Sequence, residues 1–131
     1  MENKIVVHMK DGKIHKGVTQ DFRPAAETLH LLPAEGGGVP MRIRFEDMKA
    51  VFYVKDYVGN RDFVARRQWD LARRAGRKAI LAFTDGEQVW GTVGEEGEGD
   101  RGFFFFPVDE DDNNIRIFVI RSSLKEMRLI P

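Results

Sequence analysis

Val6-Val7-His8-Met9-Lys10-Asp11-Gly12 and Ile80-Leu81-Ala82-Phe83-Thr84-Asp85-Gly86 decide how this chain folds, because the second stretch restates the first. Each is a short apolar run closed by Asp-Gly, the signal of a strand entering a tight hairpin. Gly17-Val18 returns as Gly91-Thr92, and Leu31-Leu32-Pro33 as Phe105-Phe106-Pro107, all at one offset of 74 residues (12 to 86, 17 to 91, 33 to 107). Met48-Lys49 returns as Leu124-Lys125 at an offset of 76, so one loop has gained two residues. Landmarks that share a spacing indicate an internal duplication.

Outward from these anchors, each copy reads as five short strands. The first set is expected at 5–9, 14–22, 28–32, 41–45 and 50–54, and the second at 79–83, 88–94, 103–106, 115–121 and 126–130. Gly17 lies inside the second strand, where a glycine marks a bulge or sharp bend. The pattern predicts a mainly β protein: two tandem five-stranded small barrels, Sm-like or SH3-like, joined by one amphipathic helix. The corresponding domains are 1–59, 60–78 and 79–131.

The helix is expected over 62–75, capped by Asn60 or Asp62 and stopped by Gly76. Val64, Ala65, Gln68, Trp69, Leu71, Ala72 and Ala75 would share one side, covering the open end of one barrel or the seam between both. Arg66, Arg67, Arg73, Arg74 and Arg77 would form a basic arc opposite, with Asp70 among them. Clustered guanidinium groups suit phosphate or carboxylate recognition, and they equally make an ordinary solvated helix face.

Composition narrows the class. The 131 residues hold no cysteine, which excludes disulfides and thiolate metal sites and fits a reducing cytoplasm. No apolar run approaches the roughly 20 residues of a membrane span, and the polar Met1-Glu2-Asn3-Lys4 start is unlike a signal peptide. Net charge is zero overall but uneven: +1 over 1–59, +5 over 60–79 and −6 over 80–131. A neutral total argues against a generic nucleic-acid binder, while the basic segment beside an acidic half points to internal or subunit-to-subunit pairing.

Three resemblances carry weight. Asp11-Gly12, Gly17, Phe22 with Pro24, Leu32-Pro33, then Met48 through Asp56 and Gly59, resemble an uncharacterised bacterial small-β-barrel domain family, which implies bacterial origin and no known activity. The Asp-Gly…Gly spacing of each copy is similar to the Sm-like barrel, a family of RNA binding and ring assembly. The loops that read RNA there are Asp21-Phe22-Arg23, Glu46-Asp47, Glu95-Glu96 and Ser122-Ser123 here, so the resemblance implies the fold rather than the activity. Arg73 and Arg77, as Arg-x-x-x-Arg before a strand, resemble the PilZ family of cyclic di-GMP binders. The stretch from Gly91 to Gly97 lacks that family's serine motif.

No nucleophile stands out, and no paired His and carboxylate. Asp109, Asp111 and Asn113 begin like a calcium loop, but Asn114 and Ile120 fill its glycine and glutamate positions, which favours a hairpin tip. His8, His15 and His30 share no metal spacing, though His8 and His15 could face each other across the first hairpin. The expectation is therefore a non-catalytic module, without cofactor or metal, for protein–protein association or homodimerisation through Phe52, Tyr53, Phe104 and Phe106. The alternative is nucleotide or nucleic-acid binding through the arginines.

Overall fold

The computed structural model describes residues 4–35, 38–58, 66, 67, 69, 76–94, 99, 101–109 and 111–131. The first half holds β1 (Lys4–Met9), β2 (Ile14–Val18), β3 (Thr28–Pro33), β4 (Met41–Arg44) and β5 (Met48–Val54). The second holds β6 (Arg77–Phe83), β7 (Gln88–Val93), β8 (Gly102–Pro107), β9 (Asn114–Ile120) and β10 (Leu124–Leu129). Short 3-10 turns at Phe45–Asp47 and Arg121–Ser123 precede β5 and β10.

The Asp-Gly hairpins form for the reason their sequence gives. The Lys13 amide donates to Asp11 Oδ1 at 2.9 Å and the Glu87 amide to Asp85 Oδ1 at 3.0 Å, each carboxylate closing its own turn. Gly12 and Gly86 take φ of 93° and 97°, which other residues rarely adopt. Gly17 and Gly91 answer a different demand: a Cβ on either would collide with the carbonyl oxygen of Leu32 or Phe106 on the next strand.

All ten strands form one antiparallel sheet, in the order β10-β6-β7-β8-β9-β5-β1-β2-β3-β4. This corrects the expectation of two barrels joined by a helix. The halves are joined by strand pairing, with Ala50 opposite Val119, Val51 opposite Phe118 and Phe52 opposite Ile117. The physical reason lies in β5, whose every residue is buried. A strand apolar on both faces needs cover on both, which one five-stranded unit does not supply. Among the described residues there is no α-helix, and the expected helix over 62–75 falls outside them except for Arg66, Arg67 and Trp69.

Two cores result, on opposite faces of the sheet. Ile5, Val7, Leu29, Leu31, Phe45, Val51 and Tyr53 fill one, joined by Phe104, Phe118 and Ile120 from the second half. Ala79, Leu81, Phe83, Phe103, Phe105, Ile117 and Val119 fill the other, joined by Val6, Ala50, Phe52 and Val54 from the first. Alternation along β1 and β8 assigns the faces: Val6 and Phe104 each point into the other half's core. Phe22 ties the first core together with edge-on contacts to Phe45, Tyr53 and Phe118.

Candidate functional site

Where β7 and β8 run beside the seam, a cavity of about 470 Å³ opens against Phe52, Val89, Trp90, Pro107, Val108 and Ile117. Arg66, Arg67, Glu87 and Asp112 supply its polar rim. Beside it Asp109, whose side chain is 1 % exposed, holds Arg66. The Arg66 amide and Nε donate to Oδ2 at 2.9 and 3.1 Å, and Nη2 donates to Oδ1 at 2.9 Å. A further bond runs from Nη2 to Asp111 at 3.0 Å. These bonds hold the Asp109 carboxyl far below the usual carboxylate range despite burial, which acts the other way. Three positions on, Trp69 stacks on Trp90, with ring centroids 5.1 Å apart and planes 17° from parallel. Burial and the nearby Asp109 raise the Asp112 carboxyl, against the pull of the Asn114 amide.

Around the seam from this cavity, Lys49 carries its ammonium into nearly buried space, its side chain 10 % exposed. Nζ reaches Asp85 and Glu87 of the second half, each at 2.6 Å, and lies 4.5 Å from the centre of the Phe83 ring. His8 packs on Phe52 with centroids 4.4 Å apart, and burial first, then the Lys49 charge, pushes its pKa down. His8 pairs with Ile14 in the sheet, and His15 with Val7, so the two histidines do not face each other. His30 Nδ1 meets Asp21 at 2.7 Å on the outer surface.

The residues singled out in the sequence are placed unevenly. Arg66 is committed to the acidic turn at Asp109 and Asp111, whereas exposed Arg67 lines the cavity. Arg77 begins β6, exposed, opposite Val93. Arg73 and Arg74 lie outside the described residues. Phe52, Tyr53 and Phe104 are buried and Phe106 is partly so. Phe52 therefore packs in the second half's core, and Tyr53, Phe104 and Phe106 in or against the first half's, instead of forming an external association surface. Asp109 does more than mark a hairpin tip; the charge asymmetry of the sequence hinted at its arginine partner, but no motif named it.

A second, wider groove of about 730 Å³ occupies the corresponding place in the first half. Ile14, His15, Lys16, Pro33 and Ala34 line it where Gln88, Val89, Trp90, Pro107 and Val108 line the first cavity, each at the 74-residue offset. Met41 stands for Ile117, since Leu31 pairs with Met41 as Phe105 pairs with Ile117. The backbone repeats as well: the Ala34 amide donates to the Lys16 carbonyl and the Val108 amide to the Trp90 carbonyl, both at 2.9 Å. Glu35 lines this groove at the position of Asp109, beside Asp56, Tyr57 and Val58. Its apolar rim is bare: Ile14 is 52 % exposed, Met41 38 % and Val58 80 %.

Among the described residues no helix is long and apolar enough to cross a membrane. No curated protein and no solved structure matches the chain. Its full length, residues 1–131, matches the profile of one family, and on that match the protein belongs to DUF6982, a family of unknown function.

Proposed function

We propose that this protein is a non-catalytic interaction module, built from a duplicated segment, that associates with another protein through the groove of its first half. The observation that carries this reading is the cluster of Ile14, Met41 and Val58, large apolar side chains left bare around one concavity. Apolar groups gathered at a groove, and not scattered singly, are what a protein-binding surface presents. The two halves sharing strand order and turn hydrogen bonds support the duplication. The first half's resemblance to a bacterial domain family supports a bacterial, cytoplasmic setting.

The test is a photo-crosslinking residue in place of Ile14, read in cells. A discrete adduct that disappears with Met41→Asp supports association at this groove. Crosslinking no stronger than at an exposed β10 position such as Arg128 contradicts it.

Nucleotide or nucleic-acid recognition by the arginines is the weaker reading, since Arg66 already satisfies two carboxylates. Arg67 at the rim of the aromatic cavity is the feature that favours it. Salt-dependent binding of RNA or cyclic di-GMP, lost with Arg67→Ala, would support that alternative.

A further inference from the structure

The chain contains its own example of how such a groove is filled. Over the second-half groove lie Arg66 and, three positions on, Trp69: the arginine is clamped by Asp109 through backbone and side chain, and the indole is stacked on Trp90. The first-half groove presents the same wall at the same offset, with Glu35 where Asp109 stands, yet it is the larger of the two and its apolar rim is exposed.

We propose that the first-half groove docks a segment of a partner protein that carries an arginine and, three residues later, an aromatic side chain. The inference rests on the association reading above and gives its partner a chemistry. Glu35, aided by Asp56, receives the guanidinium as Asp109 receives that of Arg66. The aromatic ring lies over Lys16, which replaces Trp90. The Lys16 ammonium is steered to the Tyr57 carbonyl at 2.9 Å, leaving its stem as an apolar floor and its charge near the ring face. Ile14, Met41 and Val58 then close on the ring's edges.

Charge and shape together favour this occupant over others. An acidic peptide would meet Glu35 and Asp56, and a purely apolar one would leave Glu35 to be desolvated without a partner.

The experiment uses the full chain and a fluorescein-labelled peptide with the sequence of residues 62–72, which supplies both anchors. Anisotropy titration is expected to show saturable binding with Kd of about 1–100 µM, the range of weak peptide docking. The same peptide with Arg66→Ala and Trp69→Ala should bind at least about tenfold more weakly, a difference of about 1.4 kcal/mol. In the protein, Glu35→Lys and Met41→Asp should each weaken binding to a similar extent, and circular dichroism confirms that both variants stay folded. Arg128→Ala should leave the affinity within about twofold, because β10 is exposed there and lies at the opposite end of the sheet from the first-half groove.

No binding up to millimolar peptide overturns the proposal. Binding that survives Glu35→Lys and Met41→Asp but responds to Asp109→Asn overturns it too, since the peptide would then be exchanging into the second groove. If the peptide fails while the Ile14 crosslinked adduct persists, the partner chemistry is wrong and the association reading stands. If both fail, both fall.

Discussion

The Lys49 ammonium of β5 lies 2.6 Å from the Glu87 carboxylate on β7, so a charge nearly buried in one half is neutralised by the other. Asp85 shares the task at the same distance, and the Lys49 carbonyl accepts the Ser123 hydroxyl at 2.8 Å. Side chain and backbone of one residue thus tie the first half to both ends of the second.

Lys49→Met keeps a stem against Phe83 and removes the charge. Asp85 and Glu87 are about half exposed and rehydrate, so the loss is set by a partly screened pair: about 1 kcal/mol in urea at low salt. The difference between wild type and variant should shrink in 1 M NaCl. A salt-independent loss above about 3 kcal/mol would mean that the packing, and not the charge, holds Lys49.

Phe118→Ala empties the meeting point of Phe22, Phe45 and Phe104, and should cost about 3–5 kcal/mol. Because Phe118 belongs to the second half's strand but the first half's core, calorimetry should still show one transition, shifted down as a whole. Two separated transitions would mean independent halves.

Gly91→Ala drives a methyl group into the Phe106 carbonyl and the Phe105 ring, neither of which can swing aside. A loss of about 2–3 kcal/mol is expected by denaturant titration, with a similar loss for Gly17→Ala at the equivalent point of β2. Gly12→Ala meets open space, and its penalty comes from positive φ alone.

Asp109 and His8 both contribute to the acid limb of stability. Arg66 holds the Asp109 pKa below the ordinary 3.8, so this pair stabilises fully above about pH 4 and its contribution is lost as the pH falls further. Asp109→Asn should therefore differ from wild type by about 2 kcal/mol at neutral pH, with the gap closing below pH 4. His8 is lowered from 6.5 by burial and Lys49, so the fold favours its neutral form and stability declines as the pH drops below about 6.5. His8→Gln should flatten the curve just below pH 6.5. For Asp112, whose pKa is raised by burial, Asp112→Asn should raise Tm at pH 7 while keeping the turn bond to Asn114.

Trp69 and Trp90 are the chain's two tryptophans, so intrinsic fluorescence reports their stacking directly. Trp69→Ala should shift emission of the remaining indole to the red and cost about 1–2 kcal/mol, less than a fully buried ring would.

Strand positions were legible to within a few residues, except that β2 stops at Val18 instead of running to 22, because alternation and Asp-Gly turns are local signals. The partner of β5 was not, since pairing between Ala50 and Val119 spans most of the chain and leaves no local trace. Two hints were present: Ala50 through Val54 is apolar without interruption, and Phe103 through Phe106 is too uniform to have a wet side. Each strand's second face is covered by the other half, where a helix or an external partner had been expected. The same oversight misplaced Phe52, Tyr53 and Phe104 as an outward surface. Arg66 was found as a candidate, but its bond to Asp109 depends on where a turn of the second half lies in space.

The central claim is that β5 and β9 are neighbours in one sheet. Nuclear Overhauser contacts in dilute, uniformly labelled protein test it most directly. Cross-strand backbone contacts between Phe52 and Ile117, and between Ala50 and Val119, are predicted at concentrations where the chain is monomeric. Their absence, with β5 instead contacting β4 to close the first half upon itself, would contradict the account.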